Sequence, residues 1–389
     1  MSLPVARQLA HALMFEGYVL YPYRQSSLKN QKRVVFGSLC PAAFAEASGQ
    51  RCGVRAEVLI AGPSVQVEVL FLHWASRSDP GSGAGRWLEA LERRVQVGPL
   101  SCSALASAPE VSSFAFPSAE WQRVEARFTT QTLAGTLRVS AEPLAGGVFR
   151  LSLGLQNRSA PPSLPGLDEA ALAELMSFGA AHLMIHAPGG RLISLLEPPS
   201  ELAQAAGACR NDGVWPVLIG NAETCDTMLA SPITLYDFPV VAPESPGDYF
   251  DATEIDEMLA LRVRSMTDAE KEQARLTDPR ARQILERSEQ LTDEQLLSLH
   301  GAWREPVAAA AEGWPRPGDR VRLRPRSGRD VLDLALEGEL ATVISREQDV
   351  EGRRYCTVTV DADPGRDLGA LGQPGHRFFF ELEEVERVS

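Results

Sequence analysis

Short runs of apolar residues with a period of two constrain the fold of this chain more than any other feature of its sequence. RAEVLIAG, VQVEVLFLHWA and GTLRVSAEPL are rich in valine and leucine, and glycine or proline separates such runs. In the third run, Leu137 and Val139 fall on one side and Arg138 and Ser140 on the other. Successive side chains of a β-strand point to opposite faces, so the pattern predicts several strands.

The fold class predicted from these patterns is α+β. Residues 1–160 are predicted to form a β-sandwich-like domain, opened by a helix from Ser2 to about Phe15. RVVFGSL is predicted as a further strand, RWLEALERRV as a short helix, and the stretch from Ser101 to Ser118 as a long loop. The proline-rich SAPPSLPG, residues 159–166, marks the end of this domain.

A second region, residues 161–305, is predicted to be α/β and to end in short capped helices. A helix follows Asp168, and the strands are AHLMIHAPGG, RLISLLEP, VWPVLIG and SPITLYDFPVV. Thr267-x-x-Glu270 and Thr292-x-x-Gln295 have the form of capping boxes, as does Asp251-x-x-Glu254, and Asp278-Pro279 is a cap followed by proline. Four short helices are therefore expected between about residues 252 and 301.

The third region, residues 315–389, follows the linker VAAAAEGWPRPG. Its short strands, rich in valine and threonine and joined by charged turns, are typical of an SH3-like small β-barrel. Such barrels are commonly docking modules, which is an analogy from fold and not from a site.

Composition narrows the classes of function. The chain has 389 residues and a net charge of −13, which argues against nucleic acid as a partner. No apolar run approaches the roughly 20 residues that a membrane helix needs, and the start lacks the features of a signal peptide, so we expect a cytoplasmic protein without membrane insertion. The six cysteines include no close pair and are expected to be reduced.

One stretch, EGYVLYPYRQSSLKNQKRVVFG, stands out because tyrosines run directly into cations. Two of the only three lysines in the chain lie here. Tyrosine and arginine are enriched at binding hot spots, so this stretch is the predicted partner-binding surface. Its residues are Tyr18, Tyr21, Tyr23, Arg24, Lys29, Asn30, Lys32 and Arg33. Two alternatives stay open: the tyrosines pack between the first helix and a sheet, or Tyr18, Arg24 and Lys29 hold a small anionic metabolite in an enzyme.

Motifs of catalysis or metal binding are weak. The sequence contains no phosphate-binding loop, dinucleotide fingerprint, nucleophile elbow or HExxH motif. His182 and His186 would lie about 13 Å apart on the predicted strand, too far to share one metal ion. With Cys209 and Cys225 they are weak candidates for a metal carrier, and no cofactor is expected.

Three parts of the chain resemble a bacterial family encoded near [NiFe] hydrogenase genes. The first is EGYVLYPYRQSSLKNQKRVVFG, the second lies within residues 210–287, and the third runs from 318 to 388. The resemblance implies a non-catalytic accessory or assembly factor that contacts a hydrogenase subunit or another maturation protein. It carries over no catalytic residues and leaves the oligomeric state open.

Overall fold

The structure is a computed structural model, and it divides the chain into two compact units. The described residues are 2–24, 27, 30, 33–78, 87–123, 126–162, 168–241, 245–251, 255–299, 315, 317–325, 336–348, 354–366 and 376–388. The units are residues 1–304 and residues 305–389. The fold is mixed α+β, and its sheets are mostly antiparallel.

The first unit contains two antiparallel sheets. Its strands are β1 (Gly53–Ala61), β2 (Ser64–Ser78), β3 (Trp87–Ser101), β4 (Glu110–Phe116), β5 (Ala119–Arg123), β6 (Ala126–Thr130), β7 (Leu133–Pro143), β8 (Val148–Asn157), β9 (Phe178–His186), β10 (Arg191–Ile193), β11 (Trp215–Leu218) and β12 (Thr227–Ser231). The short sheet has the order β10-β1-β8-β7-β4. The long sheet has the order β11-β12-β9-β2-β6-β5, and β3 pairs with β2.

The long sheet joins regions that the sequence assigned to different domains. β9 pairs with β2 through Leu183 opposite Val69 and Ile185 opposite Val67. The division predicted at residues 160–161 therefore falls inside a single unit. A domain end was expected there because prolines break the chain, but such a break does not stop two distant strands from pairing.

The described residues of the first unit also form nine helices. They are α1 (Ser2–Met14), α2 (Ala42–Ser48), α3 (Cys102–Ser107), α4 (Glu169–Leu175), α5 (Ala203–Gly207), α6 (Asp256–Arg264), α7 (Asp268–Thr277), α8 (Pro279–Gln290) and α9 (Asp293–Ser298). Two 3₁₀ turns span Ala145–Gly147 and Ser200–Leu202.

The predicted caps of the last three of these helices are confirmed. Thr267 and Thr292 each form a full capping box, and the Asp278 side chain accepts from the N–H of Arg280. α6 differs, because it begins at Asp256 with Ile255 at its N-cap. Glu254, the other half of the box predicted there, lies outside the described residues.

Four local predictions are wrong, each because tertiary contacts override local preference. RWLEALERRV is strand and not helix: β3 pairs with β2 from Trp87 to Ser101 despite its helix-forming leucine, glutamate and alanine. The predicted loop after it holds α3 and β4. RVVFGSL does not form a strand, and its one β-type pairing is an isolated bridge at Leu39. SPITLYDFPVV is irregular, since the strand there is β12, which ends at Ser231.

Two large apolar cores hold the first unit together. The first contains side chains from both sheets, including Val58, Leu153 and Leu183. The second, called here the helical core, lies between α1, one face of the long sheet and helices α6 to α9. It includes Phe15 and Leu259. The tyrosine-rich stretch enters this helical core.

The second unit is a five-stranded antiparallel sheet with its own small core. Its strands are β13 (Arg320–Leu323), β14 (Leu340–Gln348), β15 (Arg354–Val360), β16 (Phe378–Glu381) and β17 (Val385–Arg387), in the order β16-β15-β14-β13-β17. A 3₁₀ turn, Leu382–Glu384, joins the last two strands. Within the described residues no pairing closes this sheet into a barrel, so the predicted SH3-like β-barrel is not confirmed.

Among the described helices, none combines the length and the apolar character that crossing a bilayer would require.

Candidate functional site

The predicted partner-binding stretch begins at a tight turn after α1. Gly17 has a φ of +80°, and its N–H donates to the carbonyl of Phe250. A Cβ atom at this position would lie 2.9 Å from the carbonyl oxygen of Val34. Only glycine combines this left-handed conformation with so close an approach. The turn directs the chain into the helical core.

Tyr18 and Tyr23 are both buried within that core. The ring of Tyr18 lies edge-on to Phe15 and stacks parallel to Trp74 at 6.3 Å between ring centroids. Each tyrosine therefore contributes a large apolar area to packing inside the chain. Burial also raises the pKa of both hydroxyls well above the usual range, so both remain protonated.

Arg33 is buried as half of an internal ion pair. Its Nη2 atom lies 2.9 Å from Oδ2 of Asp278, and each of the two side chains is only 1% exposed. Its guanidinium also donates to the carbonyls of Tyr18 and Leu88, at 2.7 and 3.2 Å. A buried charge is tolerated only with such partners, so these contacts explain how the cation is accommodated.

Two aromatic rings contact the same guanidinium. The Cζ atom of Arg33 lies 4.1 Å from the ring centroid of Tyr18 and 4.2 Å from that of Trp87. Both are cation–π contacts. The buried ion pair and the two rings together leave Arg33 in a closed setting, which is unsuited to binding an anionic substrate.

The hydroxyl of Tyr18 links three parts of the chain. It donates to Oδ2 of Asp278 and accepts from the N–H of Ala90, each at 3.2 Å. Asp278 is the N-cap of α8, and Ala90 belongs to β3. The opening stretch, the long sheet and the terminal helices therefore meet at Tyr18.

Asn30 closes a turn within the stretch. Its Oδ1 accepts from the N–H of Leu20 at 2.8 Å, and its Nδ2 donates to the carbonyl of Leu20 at 2.7 Å. The side chain is buried, and these bonds satisfy both ends of its amide.

Tyr21 and Arg24 are the partly exposed members of the predicted set. The ring of Tyr21 lies 5.6 Å from the guanidinium carbon of Arg262. Arg24 pairs with Glu270 at 3.1 Å, and both side chains are about one-third exposed. Lys29 and Lys32 lie outside the described residues.

The end of the stretch exposes two apolar side chains that the prediction did not include. From Arg33 to Phe36 the side chains alternate: Arg33 and Val35 are buried, whereas Val34 and Phe36 are 65% and 53% exposed. The usual polarity is reversed, because the cation faces inward and the apolar residues outward. Val34 and Phe36 are called here the displayed pair.

The expected outward presentation of the stretch is therefore wrong for Tyr18, Tyr23, Asn30 and Arg33. All four are buried against other parts of the same unit. The packing alternative describes them better. The enzyme alternative needed Tyr18 and Arg24 in one site, but their partners differ: the buried Asp278 for one and the half-exposed Glu270 for the other.

Sequence reasoning missed the residues that complete this cluster. Asp278 was recognised as a helix cap, but not as the partner of a cation 245 residues earlier. Trp87 was assigned to a helix, and Arg280, which lies 3.7 Å from the ring centroid of Phe15, was not considered. The cap motif was the one local signal, and it did not indicate a second role.

The weak metal candidates are held by ordinary internal contacts. His182 lies on β9, with its ring nitrogens 2.8 Å from the carbonyl of Ala180 and 3.1 Å from the hydroxyl of Ser231. Burial lowers its pKa to about 4, so the ring is neutral. His186 bonds to the carbonyl of Asp226 and the hydroxyl of Thr227.

The two candidate cysteines lie in different apolar clusters. Cys209 packs in a small cluster around Leu59, whereas Cys225 is part of the first core. Burial raises the pKa of the Cys209 thiol to about 11, which disfavours the thiolate that a metal ion requires. Among the described residues, no group of three or more histidine, cysteine or carboxylate side chains is arranged to hold a metal ion.

Comparison of the chain with protein-family models and with curated proteins found no match.

Proposed function

We propose that this protein is a non-catalytic accessory or assembly factor for a [NiFe] hydrogenase and that it acts by protein–protein contact. The partner class comes from the resemblance of three parts of the chain to a family encoded near hydrogenase genes. The proposed contact surface rests on the side-chain exposure of Val34 and Phe36 and keeps Tyr21 and Arg24 from the stretch that the sequence suggested.

The displayed pair is the observation that carries this proposal. Val34 and Phe36 expose apolar surface, and each directly follows a buried residue that holds the backbone in place. Arg33 is held by its ion pair and its two rings, and Val35 packs in the helical core. A rigid backbone that presents aromatic and aliphatic side chains suits protein binding, since little conformational entropy is lost on association.

Tyr21 and Arg24 extend the proposed surface with polar character. Both are partly exposed and lie earlier in the same stretch. A partly exposed tyrosine and arginine are residue types enriched at protein interfaces.

Binding to the purified large subunit of the hydrogenase tests the proposal. The variant Val34→Ser/Phe36→Ser should bind about tenfold to 100-fold more weakly than the unchanged protein, because two apolar anchors are lost. Interferometry with the immobilised large subunit measures this directly, and thermal unfolding checks that the variant keeps its fold.

The control replaces two equally exposed apolar residues elsewhere. Val111 on β4 and Leu196 are 51% and 53% exposed. Val111→Ser/Leu196→Ser should bind as the unchanged protein does. If both double variants bind equally well, the displayed pair is not the contact surface. If the unchanged protein binds neither the large subunit nor other maturation proteins, the proposed function is wrong.

A further inference from the structure

β3 is an edge strand, and its outer side is capped over only part of its length. Among the described residues its one neighbouring strand is β2. On the opposite side, Arg33 donates to the carbonyl of Leu88, and Tyr18 accepts from the N–H of Ala90. These two buried side chains take the place of a neighbouring strand at the start of β3.

Beyond Ala90, no other described residue pairs with this edge. Backbone groups of alternate residues point to the same side of an antiparallel strand, so Glu92, Arg94 and Gln96 turn their N–H and C=O groups outward as Ala90 does. Within the part of the chain that the structure describes, these groups have no hydrogen-bond partner. An open edge of this kind is a template for another strand.

Opposite charges alternate along the open edge. The side chain of Glu92 is 45% exposed and lies 3.1 Å from His11. That of Arg94 is 47% exposed and lies 3.9 Å from Glu68. Arg7 already binds Glu68 at 2.6 Å, so Arg94 is held only loosely. Glu92 and Arg94 stand two residues apart on one face of the strand.

We propose that two copies of this chain associate through their β3 edges as an antiparallel pair, with Arg93 of each copy at the twofold axis. This register places Glu92 opposite Arg94 of the second copy, and symmetry makes the contact twice. Four main-chain hydrogen bonds follow from the two exchanging pairs. On the other face, Leu91 stands opposite Val95 of the second copy.

Arg93 lies on the axis and faces Arg93 of the second copy, but its side chain is held within its own chain. Its side chain turns to the face away from Glu92, where Nε donates to Nδ1 of His73 at 3.2 Å. Its guanidinium carbon also lies 4.9 Å from the ring centroid of Phe116. The charge is therefore anchored within its own chain.

Charge decides between this register and its neighbour. A shift that centres the axis on Arg94 would add two hydrogen bonds but would set Arg94 against Arg94. Each register sets one pair of arginines opposite each other, which destabilises a strand pair. Only the register centred on Arg93 also forms two opposite-charge pairs, which stabilise it. The cap that Tyr18 forms on Ala90 prevents the pairing from extending further toward the start of β3.

Light scattering coupled to gel filtration tests the proposal. From about 1 to about 200 µM, the unchanged protein should shift from the mass of one chain, 42.2 kDa, toward twice that mass. Arg94→Glu and Glu92→Arg, each measured alone, should weaken association about tenfold or more, because the attractive cross-strand pairs become repulsive.

A charge swap distinguishes the register from a general loss of charge. The double variant Glu92→Arg/Arg94→Glu restores both opposite pairs and should associate as the unchanged protein does. In the register centred on Arg94, Arg94→Glu alone would only replace one like-charge contact with another, so it would not weaken association relative to the unchanged protein. Glu120→Arg on β5 and Arg138→Glu on β7, both exposed, are matched controls that should leave association unchanged.

Two results would overturn the proposal: a single-chain mass for the unchanged protein over the whole range, or no recovery in the charge-swapped variant. This inference can be tested apart from the proposed hydrogenase contact, because the two sets of variants share no residue and the two experiments measure different associations.

Discussion

Arg33 carries a full charge in a place closed to water, and its surroundings compensate for the lost hydration. Asp278 supplies the opposite charge, Tyr18 and Leu88 supply carbonyl oxygens, and two aromatic rings make cation–π contacts with the guanidinium. Removing one half of such a pair leaves the other charge buried without compensation, which costs more than the pair itself contributes to stability.

We therefore expect Arg33→Met and Asp278→Asn each to lower the free energy of unfolding by about 3–5 kcal/mol. The double variant should lose less than the sum, because no uncompensated charge remains. Asparagine still caps a helix, so α8 keeps its N-terminal bond. Urea unfolding followed by tryptophan fluorescence measures these values. Arg24→Met, at the half-exposed pair with Glu270, is the control, and an equally large loss there would contradict this account.

At the scale of elements, the opening stretch acts as the missing neighbour of β3. Edge strands are exposed to unwanted pairing, and proteins protect them with charges, bulges or a covering segment. Here the cover is made by two side chains, Tyr18 and Arg33, each bonded to one backbone group of β3. The same contacts join β3 to the N-terminus of α8 through Asp278.

Tyr18→Phe tests this cap. The variant leaves the N–H of Ala90 without its acceptor, so we expect a loss of about 1–3 kcal/mol in the free energy of unfolding and faster hydrogen exchange at that amide. Tyr23→Phe is the matched control: its hydroxyl makes a long 3.5 Å bond to the carbonyl of Tyr249, and its removal should cost clearly less. Unchanged exchange at Ala90 would show that the cap does not protect the edge.

For the whole molecule, buried neutral histidines make the first unit sensitive to acid. Burial lowers the pKa of both His73 and His182 to about 4, whereas the unfolded chain has the ordinary value of about 6.5. Between these values the unfolded state binds protons that the folded state excludes. Stability is therefore complete above about pH 6.5 and falls as the pH decreases toward 4.

Each of these histidines should contribute up to about 3 kcal/mol to that loss. Glu92 raises the pKa of His11, so His11 acts in the opposite direction: its stabilising effect is present at low pH and is lost as the pH rises.

The variant His182→Gln isolates the effect of His182, because the pH dependence contributed by the other titrating groups is the same in the variant and in the unchanged protein. We expect the variant to show a shallower decline of unfolding free energy between pH 7 and pH 5. Equal slopes would mean that His182 is protonated without cost.

Most strands and the helix caps were predictable, because their signals are local. Alternation predicted β7, and Thr267 and Thr292 cap their helices through residues three positions away. Such contacts depend on a few neighbouring residues, so a short window contains the information. The helix assigned to RWLEALERRV failed for the opposite reason: β3 follows the pairing offered by β2 and not its own propensity.

By itself, then, the sequence determined an α+β chain of strands, turns and capped helices, together with the place of an unusual aromatic and cationic stretch. Only the tertiary structure decided that Tyr18 and Arg33 face inward and that Val34 and Phe36 face outward. The reason is physical: the acid that allows a cation to be buried lies on α8, far along the chain, and only the folded molecule brings the two together.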